Sequence, residues 1–189
     1  MLITLGLVQL CFFAVLKLSG AEVVKIFKID RITNCVSNVT FPVLFLPEYS
    51  MMYDGAVNLF NCTLRITEEI KGPLKYVADI KRCEMDNSKC EFFNKIEPTD
   101  LCGHFNTTEF QQMFLNNAVP MLSCPVHPAD YRFINNQWDM SPIVSLPGSA
   151  YRWNITASVT QLNTGRVVFC MDMMARIVVI RKKGKKVKH

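Results

Sequence analysis

Alternation with a period of two dominates the middle and the end of this chain. Phe60, Cys62, Leu64 and Ile66 alternate with Asn61, Thr63 and Arg65, and Leu74, Tyr76, Ala78 and Ile80 alternate with Lys75, Val77, Asp79 and Lys81. Tyr151, Trp153, Ile155, Ala157 and Val159 form a third set, with Arg152, Asn154, Thr156 and Ser158 between them. A strand sends successive side chains to opposite faces, so each set predicts one face turned to a core and one turned to water. Val167 to Ile180 is a longer, mostly apolar run that predicts a strand covered on both sides. Glu22 to Asp30 and Cys35 to Leu46 complete about six to eight strands.

The breaks in the pattern agree. Asp54-Gly55, Lys71-Gly72-Pro73, Pro147-Gly148 and Asn163-Thr164-Gly165 separate the apolar runs, and the last of these reads as a hairpin turn. One helix is predicted over Thr108 to Asn117, where Phe110, Met113 and Phe114 make an apolar stripe behind a cap at Asn106 or Thr107, and Pro120 ends it. Short strands at regular spacing with one short helix predict a mainly β protein. Its form is an immunoglobulin-like two-sheet sandwich, or a β cup opened around an apolar cavity.

The amino end has a different pattern. Leu2 to Leu16 is an almost unbroken apolar run followed by Lys17, which is the length of a signal-peptide core and short of a membrane span. Ser19-Gly20-Ala21 supplies small residues for cleavage after Ala21 or one residue earlier. The reading is therefore a signal peptide over 1–21, one domain over 22–180 and a basic tail over 181–189. Such a chain is secreted, extracellular or held in the lysosomal lumen.

Charge adds little to the body. The formal charge of +5 comes from the tail, where Arg181, Lys182, Lys183, Lys185, Lys186 and Lys188 cluster; the expected domain carries fourteen cations against sixteen anions. A near-neutral body offers no broad nucleic-acid surface. Seven cysteines follow the leader, an odd number that allows three bridges and leaves one thiol in an oxidising compartment. Asn38-Val-Thr, Asn61-Cys-Thr, Asn106-Thr-Thr and Asn154-Ile-Thr are glycosylation sequons that fit the same compartment.

The cysteine spacing resembles a family. Cys83 and Cys90 enclose a short loop, Cys102 follows, then Cys124-Pro125, then a single Cys170 in the last strand. The segment from Cys124 onward, with Leu146-Pro147 before Tyr151-Arg152, a Gly hairpin and the final cysteine-bearing strand, is similar in order to the ML lipid-recognition superfamily. That superfamily includes ganglioside-activator-like proteins and insect chemosensory CheA- and CheB-type secreted proteins. The resemblance runs from about Cys35 to Ile180. It implies the pairs Cys35–Cys170, Cys83–Cys90 and Cys102–Cys124, and it provides no partner for Cys62.

What the resemblance implies is a cavity between two splayed sheets that takes up lipid, glycolipid or another hydrophobic small molecule, with no catalysis and no cofactor. Partners would be a lipid hydrolase or a chemoreceptor, with transient contact to a membrane surface, and the ligand a sphingolipid or a pheromone-like cue. The residues expected to line the cavity are Phe60, Leu64, Ile66, Tyr76, Ile80, Trp153, Ile155, Val159, Phe169 and Met171. Alternating apolar positions ordinarily fill a closed core, so the cavity itself comes from the resemblance. The methionines at Met51, Met52, Met171, Met173 and Met174 suit either a plastic pocket or gap filling. Phe92-Phe93 and Phe110/Phe114 are expected near the rim.

Enzyme signatures are missing. There is no G-x-S-x-G and no H-E-x-x-H, and only His104, His127 and His189 are available as imidazole bases. Cys102-x-His104 with Cys124-x-x-His127 matches zinc spacing, but an exported chain favours cystines over metal. The alternative to a carrier is a secreted interaction protein that acts through its glycosylated surface and its basic tail, where each cation is worth ~1 kcal/mol near an acidic membrane.

Overall fold

The structure is a computed structural model that describes residues 23–36, 40–53, 58–105, 107, 115, 117–138 and 150–181. The expected signal peptide, nearly all of the tail, and the sequons at Asn38 and Asn106 lie outside those residues. Ile26–Val178 forms one compact unit. Met1–Lys25 with Val179–His189 forms a second, of which only Val23–Lys25 and Val179–Arg181, the ends of two strands, are described.

The chain is mainly β, in two antiparallel sheets arranged as a sandwich. Among the described residues the strands are β1 (Val23–Asn34), β2 (Val43–Phe45), β3 (Ser50–Tyr53), β4 (Asn58–Ile66), β5 (Leu74–Cys83), β6 (Cys90–Ile96), β7 (Ala118–Val119), β8 (Ala129–Trp138), β9 (Arg152–Gln161) and β10 (Arg166–Arg181). One sheet has the order β1-β10-β9-β5-β6; the other runs β2-β4-β8-β7, with β3 paired to β4 beside β2. The alternating sets of the sequence become β4, β5 and β9. Among the described residues of the run Cys35 to Leu46, Val43–Phe45 form a strand.

One short helix is described, and it stands ahead of the stripe. The five-residue α1 (Leu101–Phe105) precedes the expected segment, most of which lies outside the described residues; Leu115 and Asn117 within it are not helical. A local cap decides α1. The Asp100 carboxylate accepts a hydrogen bond from Gly103 N at 2.9 Å, which satisfies one of the amides that a helix start leaves free, and its carbonyl accepts the first bond of the helix itself, from His104 N at 3.2 Å.

Register turns alternation into inward-facing rows. β9 pairs with β5 on one side and β10 on the other, which sets Tyr76, Val159 and Phe169 side by side. Next come Ala78, Ala157 and Met171, then Ile80, Ile155 and Met173, then Arg82, Trp153 and Ala175. Directly opposed residues in an antiparallel pair share a face, so these rows all point the same way. In the other sheet β4 and β8 present Phe60, Cys62, Leu64, Tyr131 and Phe133 to the same core.

Three devices tie the sheets and turns. Asn34 on β1 clamps β2, its Nδ2 donating to Phe45 O and its Oδ1 accepting from Phe45 N, each at 2.8 Å. The Ile32 amide donates to the Tyr49 hydroxyl at 3.1 Å. The turn between β9 and β10 places Gly165 at φ 67°, a left-handed conformation that glycine adopts without a Cβ penalty, and its amide closes on Gln161 O at 2.9 Å. The expected hairpin at 163–165 is therefore present.

Candidate functional site

A partly open hollow of about 250 Å³ lies between the sheets in the Ile26–Val178 unit. From the sheet that contains β9 it takes Leu74, Tyr76, Val159, Val168, Phe169 and Met171; from the sheet that contains β4 it takes Val43, Phe45, Phe60, Cys62, Leu64, Ile66 and Phe133. Ile70, Leu101, Phe105, Leu115, Leu122 and Val126 complete it from outside the sheets. Among the described residues no charged side chain stands in this lining, and the surface they present is apolar.

The wall outside the sheets is assembled by a cystine. Leu101 and Phe105, four apart on α1, are both buried on one side of the helix. Cys102, between them, is bonded to Cys124, which holds α1 against the stretch that supplies Leu122 and Val126. Val126 in turn makes a two-bond antiparallel bridge with Ile70, with N···O distances of 2.8 and 2.9 Å. Gly72 is required by this arrangement, because a Cβ there would lie 2.9 Å from Cys102 Sγ. That glycine reads as a turn residue in the sequence, whereas the structure gives it a packing role.

Of the ten residues expected to line the hollow, seven do: Phe60, Leu64, Ile66, Tyr76, Val159, Phe169 and Met171. Ile80, Ile155 and Trp153 do not. They share the inward face but stand one or two rows farther along, where Ile155 is packed in the core and Trp153 is 1% exposed, its indole meeting Phe93 edge-on at 5.0 Å. Period-two reasoning identifies the face and is blind to position along it. Phe93 is thus a packing residue, while its neighbour Phe92 is exposed on β6, an edge strand. Met171 lines the hollow, but Met173 is core and Met174 does not line it.

The lining residues that alternation misses have identifiable causes. Val168 is buried because a bulge between Val167 and Phe169 turns two successive side chains inward. Leu101, Phe105, Leu115, Leu122 and Val126 belong to irregular or helical chain, where no period of two exists. Cys62 belongs to the alternating set on β4 and could have been named from it.

The three cystines are Cys35–Cys170, Cys83–Cys90 and Cys102–Cys124, the same pairs that the resemblance implies. Bonded to each other, Cys102 and Cys124 are not arranged as ligands with His104 and His127. Cys62 remains a free thiol in the wall of the hollow, and burial pushes its pKa up from 9.0 to about 12. It is held as the neutral thiol, which is neither nucleophile nor metal ligand. Burial raises the Tyr76 phenol as well.

Two sequon asparagines are described, and both are engaged. Asn61 stands at the bulge between β4 and β8, where its Oδ1 accepts from Asn135 N at 2.8 Å and its Nδ2 donates to Ser50 Oγ at 3.2 Å. Asn154 is on the outward face of β9, half-buried, with its Nδ2 3.8 Å from Cys90 Sγ. The sequence predicts an open polar face at Asn154; the loop stapled by Cys83–Cys90 narrows it.

No family model matches the chain, and no curated protein matches it. Among the described residues no helix is long and apolar enough to cross a membrane. The described walls of the hollow are apolar and uncharged, with the Cys62 thiol among them.

Proposed function

We propose that this chain is an exported carrier of lipid or lipid-like molecules, and that the hollow between its sheets holds the guest. The observation that carries this reading is the 250 Å³ apolar hollow inside a domain with three cystines. Native interiors are packed to crystal-like density with few voids larger than a water molecule. A hollow of this size, whose described residues present no polar surface that would hold water, is suited to a hydrocarbon guest. Transfer of apolar surface at roughly 0.8 kcal/mol per methylene drives such binding without any reacting group. The protein would contribute solubility and orientation and break no bond.

Export is proposed from the apolar run Leu2 to Leu16, the small residues Ser19-Gly20-Ala21 and the cystines, which persist in oxidising compartments. The resemblance to the ML lipid-recognition superfamily supports the same function and suggests two uses. One is presentation of a glycolipid to a hydrolase; the other is delivery of a hydrophobic cue to a chemoreceptor. The test is solvent extraction of the protein purified from its native secretion, with mass spectrometry of the extract. One lipid per chain is the expected result. An empty protein whose melting temperature is unmoved by a panel of single-chain lipids would overturn the reading.

A further inference from the structure

Resting on the carrier reading, we infer that the guest is a single, compact hydrocarbon group of about ten carbons, with any polar end group left outside the wall. Two-chain lipids are not enclosed.

Three observations converge on this. The first is volume: an apolar cavity of about 150 Å³ takes up benzene, with its six carbons, so a hollow of about 250 Å³ scales to about ten. The second is the far side. Beyond the hollow the same inward face carries Ile80, Ile155 and Met173, then Trp153 against Phe93, so a chain has no path along the sandwich past those rows. The third is chemistry. Among the described residues the lining contains no charged or amide side chain to pair with an enclosed head group; a buried polar group without a partner costs a few kcal/mol. A sugar, phosphate or carboxylate is therefore excluded from the interior.

The test uses the full chain loaded with N-phenyl-1-naphthylamine as the fluorescent probe, displaced by straight-chain alcohols from hexanol to octadecanol and by phosphatidylcholine. Affinity is expected to rise about fourfold per added methylene as far as decanol and then to level. Phosphatidylcholine is expected to leave the probe in place. Leu64→Ala, which removes three carbons from the wall, is expected to move the break to a longer alcohol. A rise that continues through octadecanol, or stoichiometric displacement by phosphatidylcholine, would overturn the size limit while leaving the carrier reading intact. Absence of displacement at every chain length, with the probe shown to bind, would overturn both. A break that does not move in Leu64→Ala would show that the limit is not set by this hollow.

Discussion

The two halves of the β5–β9–β10 face start from the same pattern and end differently. Tyr76, Val159 and Phe169 border a hollow; Trp153 and Ala175, three rows along, are buried in a filled interior, with the part-exposed Arg82 at its edge. What separates them is the chain that covers each. The filled half receives large side chains: Trp153 meets Phe93 edge-on, and Arg82 lies over the Tyr151 ring with its guanidinium carbon 4.7 Å from the centroid while also pairing with Glu91. The hollow half is covered by a short helix and irregular chain held by Cys102–Cys124, whose buried side chains (Leu101, Phe105, Leu122, Val126) border the gap without filling it. One sheet can thus carry both a packed anchor and an open site, provided that the covering elements differ.

Truncating a side chain in each half has different consequences. Trp153→Ala is expected to cost about 3–5 kcal/mol in urea unfolding, because a large, fully buried side chain leaves a cavity that the strands cannot close. Leu64→Ala, half-buried beside an existing void, is expected to cost about 2 kcal/mol and to enlarge the hollow. Equal losses for the two would mean that the halves are packed alike.

The cystines make a second contrast. Replacing Cys102 and Cys124 together by alanine is expected to cost about 3 kcal/mol and to weaken probe binding at least tenfold, since that bond assembles one wall of the hollow. Replacing Cys83 and Cys90 together releases a shorter loop at the filled half and is expected to cost about 2 kcal/mol with binding unchanged. Loss of binding in the second variant would connect the site to the wrong half.

Alkaline pH probes the hollow through its own thiol. Burial raises the Cys62 pKa from 9.0 to about 12, so the thiol favours the folded state fully below pH 9 and loses that contribution as pH rises toward 12. At about pH 10 the loss is expected to be about 1 kcal/mol, read as a fall in the urea midpoint. Cys62→Ala is expected to flatten this fall, leaving a smaller slope from Tyr76, whose phenol is also raised by burial. An identical pH profile in the variant would place the thiol in contact with water.

The smallest effect is expected on the surface. Arg65 donates two hydrogen bonds to Asp130, each 2.8 Å, and holds that carboxyl below its usual range. Its contribution is present above the ordinary carboxylate pKa and lost as pH falls. Because both side chains are about half exposed, Arg65→Ala is expected to shift the urea midpoint at neutral pH by little more than experimental error.

Particular residues show how far the sequence reaches. The strands with strict alternation, β4, β5 and β9, and the turn at Gly165 are readable because backbone geometry alone imposes a period of two and a left-handed corner. Val168 is not, since a one-residue bulge reverses the parity of the strand after it. Nor is α1: its five residues are too few for a helical stripe, and Asp100 is recognised as a cap only once the Gly103 amide is seen to meet it.

What the amino-acid sequence settled unaided is local: which positions of the alternating strands face inward, where the chain turns at Gly165, and that seven cysteines follow an apolar amino-terminal run. What the tertiary structure alone decided is where the interior stays empty. Emptiness is set by how far apart two covering layers stand, and that distance depends on helix, bulge and cystine positions far apart in the chain. Ile80, Ile155 and Trp153 carry the same inward parity as Tyr76 and Val159, and only the elements lying across from them distinguish a filled row from an open one.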